Sequence, residues 1–128
     1  MTRNVELLWF ADCPNHATAR RMLEDVIAEL VPGTPIRDLD ATDPLTAERL
    51  RFPGSPTIRV DGRDVDPTYV DPGDYTPRCR LYRTESGLRG LPERSWIETA
   101  FLGTATAKSA DPIRGAGVRL VDPPSPSR

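Results

Sequence analysis

The segment Val5-Glu6-Leu7-Leu8-Trp9-Phe10 is short, apolar and bounded by polar residues, so it reads as a strand buried on both faces. A strand of that kind must be covered on each side, and the next residues supply one cover. Pro14 suits the first position of a helix, with Cys13 as its N-cap. Ala19, Met22, Leu23, Val26, Ile27 and Leu30 then recur at the three-and-four spacing that gathers them on one helical face. Val31-Pro32-Gly33 ends the helix, because neither Pro nor Gly favours continuing it. A chain that opens in this way belongs to the α/β class.

A second strand is expected around Ile36 to Leu39, followed by a brief helix opened by Asp43-Pro44, with Asp43 as cap and Leu45 and Leu50 as its apolar residues. Phe52-Pro53-Gly54-Ser55-Pro56 leads into a third strand, Thr57 to Val60, which the turn residues Asp61-Gly62 stop. After a Pro- and Asp-rich excursion from Arg63 to Arg78, the alternation in Cys79-Arg80-Leu81-Tyr82-Arg83 predicts a fourth strand. Pro92 opens a last helix with Trp96, Ile97, Ala100 and Phe101 on its buried side. The expected order is β-α-β-α-β-β-α in one domain over residues 1–102, a four-stranded mixed sheet with Val5 to Phe10 central. Small and polar residues from Gly103 onward, ending Asp122-Pro123-Pro124-Ser125-Pro126-Ser127, predict a flexible, disordered tail over residues 103–128.

Composition narrows the functions open to such a domain. The 128 residues are 38% hydrophobic, enough for one core. With 17 Lys plus Arg against 19 Asp plus Glu, the net charge of -2 offers no electrostatic footprint for nucleic acid or an anionic membrane. The N-terminal apolar run is interrupted by Glu6 and followed by Asp12, too short for a secretory or membrane-spanning segment, so a cytoplasmic location is expected. Cys13 and Cys79, the two cysteines, form no disulfide framework. Paired Cys-x-x-Cys ligands are missing, so neither a metal nor a cofactor is expected.

Asp12-Cys13-Pro14-Asn15, Gly54-Ser55-Pro56-Thr57, Val60-Asp61-Gly62 and Cys79-Arg80-Leu81-Tyr82-Arg83-Thr84 together resemble the thioredoxin-like superfamily. The closer resemblance is to a group of small bacterial proteins variously labelled thioredoxin-like, candidate selenoproteins or alkylmercury lyase. It covers roughly residues 4–102. The resemblance implies a cis Pro56 facing Cys13, and backbone at residues 55–57 able to pair with an extended substrate. Where a dithiol member has Cys-x-x-Cys, this chain has Cys13-Pro14-Asn15-His16, so the usual resolving thiol is replaced.

Cys13 is the candidate nucleophile, since unsatisfied N–H groups at a helix start stabilise a thiolate. His16, the one histidine, is a candidate base or charge partner for it, although the same field disfavours an imidazolium. Asp12, Pro14, Ser55, Pro56 and Thr57 are the expected substrate contacts. Cys79, at the start of a returning strand, is expected near the far edge of the sheet. A five-residue strand spans about 17 Å, against the roughly 7 Å Cα separation a disulfide allows, so direct pairing with Cys13 is not expected unless the excursion from Arg63 to Arg78 shifts the register.

Three functions follow. The first is thiol-disulfide exchange at Cys13 with a low-molecular-weight thiol or a protein disulfide, resolved by an external thiol. The second is a non-catalytic binding module built on the same fold, with Tyr69 and Tyr75 of the excursion on its surface. The third, carried by the lyase label alone, is organomercurial cleavage with Asp12 or His16 as the acid.

Overall fold

The computed structural model describes residues 3–102. It divides into two compact units, Met1–Ile97 and Glu98–Arg128. The expected tail over residues 103–128 lies outside the described residues.

The elements of the first unit follow from local sequence. Strand β1 (Val5–Trp9) buries Val5, Leu7 and Leu8. Its one acidic residue, Glu6, meets Arg37 at 3.2 Å. Helix α1 (His16–Leu30) turns Ala19, Leu23, Val26 and Ile27 inward, as their spacing predicts. The chain leaves α1 through a hydrogen bond from Val31 N–H to the Ile27 carbonyl and a left-handed Gly33, φ +88°. Strand β2 (Ile36–Asp40) pairs parallel with β1, Val5 opposite Ile36 and Trp9 opposite Asp40. Helix α2 (Pro44–Arg49) is capped by the Asp43 carboxylate, which accepts from Thr46 N–H at 3.0 Å. Ala47 is the buried residue of α2, whereas Leu45 is left 72% exposed and Leu50 packs partly against the core. Phe52, Leu8, Ala41 and Ala47 form the buried cluster beneath this helix.

Strand β3 (Thr57–Val60) runs antiparallel to β1, placing Leu8 opposite Thr57 and Val5 opposite Val60. Asp61 and Gly62 adopt φ +53° and +83°, the two positive values that a two-residue hairpin turn requires. They lead into β4 (Arg63–Asp64), the fourth strand of a sheet ordered β2-β1-β3-β4. The sheet is therefore mixed and four-stranded, with β1 and β3 inside.

The fourth strand is not the one expected. Cys79 to Arg83 does not join the sheet as a returning strand. Tyr82–Thr84 (β5) instead pairs with Gly87–Arg89 (β6) in a separate hairpin. The physical reason is the Asp61-Gly62 turn: it returns the chain at once, so the place beside β3 is filled before the excursion begins. Helix α3 (Arg94–Leu102) follows, two residues after Pro92, with Ile97 buried and Trp96 tilted against Tyr82 at 6.0 Å between ring centroids. Among the described residues, no helix is long and apolar enough to cross a membrane.

The excursion between β4 and β5 buries little apolar surface beyond Val65. Its order comes from repeated side-chain turns, in which the carboxylates of Asp64, Asp66, Asp71 and Asp74 each accept the N–H two residues on. Asp71 also accepts from Arg51 Nε at 3.0 Å and from the Tyr75 hydroxyl at 2.7 Å.

Candidate functional site at one end of the sheet

The strand registers bring the nominated residues to one end of the sheet. β1 runs toward Cys13, and β3 starts beside the end of β1, with Leu8 opposite Thr57. The Ser55-Pro56 peptide, which is cis, immediately precedes β3. β2, parallel to β1, ends at the same side with Asp40 opposite Trp9.

Cys13 is half-buried and occupies a turn, its N–H donating to the Phe10 carbonyl at 3.1 Å. It is not the N-cap of α1. That position belongs to Asn15, which makes no side-chain capping bond, and Pro14 precedes the helix. The tight turn back onto Phe10 absorbs two residues before helical geometry can start. Asp12 and Pro14 are exposed.

His16 is the first residue of α1, and its ring stacks on Trp9, centroids 4.4 Å apart and planes 15° from parallel. Its buried Nε2 has no hydrogen-bond partner and lies 3.8 Å from Asp38. Asp38 is already engaged by the Trp9 indole N–H at 2.7 Å and by Arg20. Burial lowers the His16 pKa below 6.5, the nearby Arg20 charge adds to this, and Asp40 partly opposes it. The lowered pKa favours the neutral ring, which stacks on Trp9 of β1 and stands near Asp38 of β2.

This fixes a sign. Between its folded and unfolded pKa values the unfolded chain holds more protons on His16, so the His16 contribution to stability is fully present above about 6.5 and is lost as pH drops through the folded value. Proton-detected titration of His16 should give a midpoint below 6.5. His16→Ala should leave the pH midpoint of Cys13 alkylation in place; an upward shift would restore the imidazolium.

Ser55, Pro56 and Thr57 are all buried, Ser55 and Thr57 completely. The covering segment is 78–82. Ser55 N–H donates to the Arg78 carbonyl at 2.8 Å, and Arg80 N–H donates to the Ser55 carbonyl at 2.9 Å, a parallel bridge that sets Cys79 opposite Ser55. The Ser55 hydroxyl is buried without a partner. Thr57 Oγ1 donates to the Gly54 carbonyl at 2.6 Å and accepts from Arg80 Nη1 at 2.9 Å. Backbone that sequence reading left open for a substrate strand is thus taken, at Ser55, by the chain itself.

Arg80 fastens this cover. Its guanidinium is 8% exposed and holds Asp64 with both arms, Nη1 to Oδ2 at 2.7 Å and Nη2 to Oδ1 at 3.0 Å, with Asp66 at 3.8 Å. It also lies over the Tyr82 ring, 4.2 Å from the centroid. Burial works against the charge, but the bonds to Asp64, helped by Tyr82 and Asp66, together outweigh it and hold the Arg80 pKa above its ordinary value. The Tyr82 hydroxyl donates to the Pro56 carbonyl, and burial pushes its pKa far above the ordinary phenol value. None of Arg80, Asp64 and Tyr82 was singled out from the sequence as a site residue. The available signal was the alternation around Tyr82.

Cys79 is exposed and borders a groove with Pro53, Tyr69 and Val70. It does not sit at the far edge: the bridge to Ser55 brings it to the Cys13 end, because the segment carrying it runs beside the residue before β3 instead of forming a returning strand. Compared with known proteins, the chain has no significant match among family models, curated proteins or solved structures.

Proposed function

We propose that the chain is a thioredoxin-like thiol protein in which Cys13 exchanges with low-molecular-weight disulfides. One observation carries this reading. A half-buried thiol follows the interior strand β1, at the end where the Ser55-Pro56 peptide enters β3 in a sheet ordered β2-β1-β3-β4. Cys13 attacks one sulfur of the disulfide and releases the other half as a thiol, and a second thiol, external in the simplest scheme, resolves the mixed disulfide. Small disulfides are favoured over extended polypeptides because both backbone groups of Ser55 are occupied. A non-catalytic binding module is the second reading, favoured by that same occupied edge.

The test is exposure of the reduced protein to limiting glutathione disulfide, with the modified residue located by peptide mass. Wild type should be modified first at Cys13, and Cys13→Ser should lose the fast phase by at least tenfold while Cys79→Ser retains it. First reaction at Cys79, or none at Cys13 before unfolding, would replace this function with the binding module.

A further inference from the structure

We infer that Cys79 is the resolving thiol for Cys13, so that two cysteines far apart in sequence act as one dithiol; this rests on Cys13 being the exchanging thiol. Sequence reasoning argued against their meeting, on the premise that Cys79 begins a strand running back from β3. That strand is absent from the sheet. Cys79 is instead clamped opposite Ser55 by two backbone hydrogen bonds of 2.8 and 2.9 Å. Paired strands lie about 4.8 Å apart, so Cys79 stands one strand spacing from Ser55.

Ser55 in turn is two residues from Thr57, which faces Leu8 of β1, and β1 continues through Trp9 and Phe10 into the turn that holds Cys13. Three segments carrying Cys13, Ser55 and Cys79 therefore converge on the same sheet end. The two thiols differ in a way that suits the roles. Cys79 has its backbone pinned and the next side chain, Arg80, locked in a buried ion pair. Cys13 belongs to neither β1 nor α1, so its turn can adjust for closure without unpicking either element. Both are free thiols, Cys13 partly and Cys79 largely accessible.

The steps balance. Cys13 thiolate attacks a disulfide RSSR, forming Cys13–S–SR and releasing RS⁻. Cys79 loses its proton to solvent and attacks the Cys13 sulfur, forming the Cys13–Cys79 disulfide and releasing the second RS⁻. The protein dithiol is oxidised by two electrons and one RSSR is reduced to two thiols.

The experiment uses the full-length reduced chain with glutathione disulfide, quenched by acid at intervals and read by intact mass and peptide mapping. Wild type should pass through a short-lived Cys13 adduct and accumulate the Cys13–Cys79 disulfide, with two glutathione released per chain. Cys79→Ser should stop at the Cys13 adduct and lengthen its lifetime at least tenfold. An adduct at Cys13 that lasts as long in wild type as in Cys79→Ser, with Cys79 still alkylatable, overturns the pairing and leaves the exchange reading standing. No adduct at Cys13 in either protein overturns both.

Discussion

Asp64→Ala should destabilise the fold by about 3–5 kcal/mol, because it leaves the Arg80 guanidinium buried with its main counter-charge gone. Asp66, at 3.8 Å from Arg80, is too distant to replace a bidentate partner. For a domain of this size each kcal/mol corresponds to roughly 4–8 °C in Tm, so thermal unfolding should shift by well over 10 °C. The partner of the experiment is Arg80→Met combined with Asp64→Leu. Replacing both charges by apolar groups removes the orphaned ion, and the double variant should recover most of the loss. A loss under about 1 kcal/mol for Asp64→Ala would mean that Arg80 escapes to water at little cost, and the segment over Ser55 is then not fastened by this pair.

Gly54→Ala should be nearly as damaging for a different reason. Gly54 has φ +135°, and a Cβ built there would stand 2.8 Å from the Arg80 Cβ and 3.1 Å from its Cα. The added methyl meets backbone, which cannot swing aside as a side-chain tip would. Strain at such a φ and overpacking each cost about 1–3 kcal/mol, so a total on the order of 3 kcal/mol is expected. The Arg80 N–H, which bonds to Ser55, should exchange with solvent sooner than N–H groups of β1, because the clash falls on that contact. Gly33→Ala is the control, with φ +88° but nothing within 4 Å, and should cost only about 1–2 kcal/mol. Equal losses at the two glycines would show that close packing on Arg80 contributes nothing.

The elements with a regular period were legible in the sequence. The apolar run of β1, the spacing of Ala19, Leu23, Val26 and Ile27, the Asp43 cap and β3 all stand where local chemistry puts them. The fourth strand was not, since β4 has two residues, both charged, and its one clue was the Asp61-Gly62 turn before it. Periodicity misled more deeply at residues 79–83. An apolar-inward alternation would bury Leu81, yet Leu81 is 66% exposed while Arg80 and Tyr82 are inside. Arg80 tolerates burial because Asp64, brought close by the hairpin, supplies a fixed counter-charge; no window around residue 80 contains that information. The Cys13 neighbourhood differs similarly: the Cys-Pro pair reads as a helix start, but the bond from Cys13 N–H to Phe10 delays the helix, and His16 stacks on Trp9.

The two borders of the four-stranded sheet carry a further consequence. On one side β2 presents Arg37, Asp38 and Asp40 to solvent. On the other, β4 ends after two residues and the chain soon reaches Pro67, which has no N–H to offer. A foreign strand arriving at the first border must desolvate fixed charges, and at the second it finds too few groups to continue a ladder. Growth of the sheet by adding neighbours, the usual start of fibrous aggregation, is blocked on both sides by charge and by length.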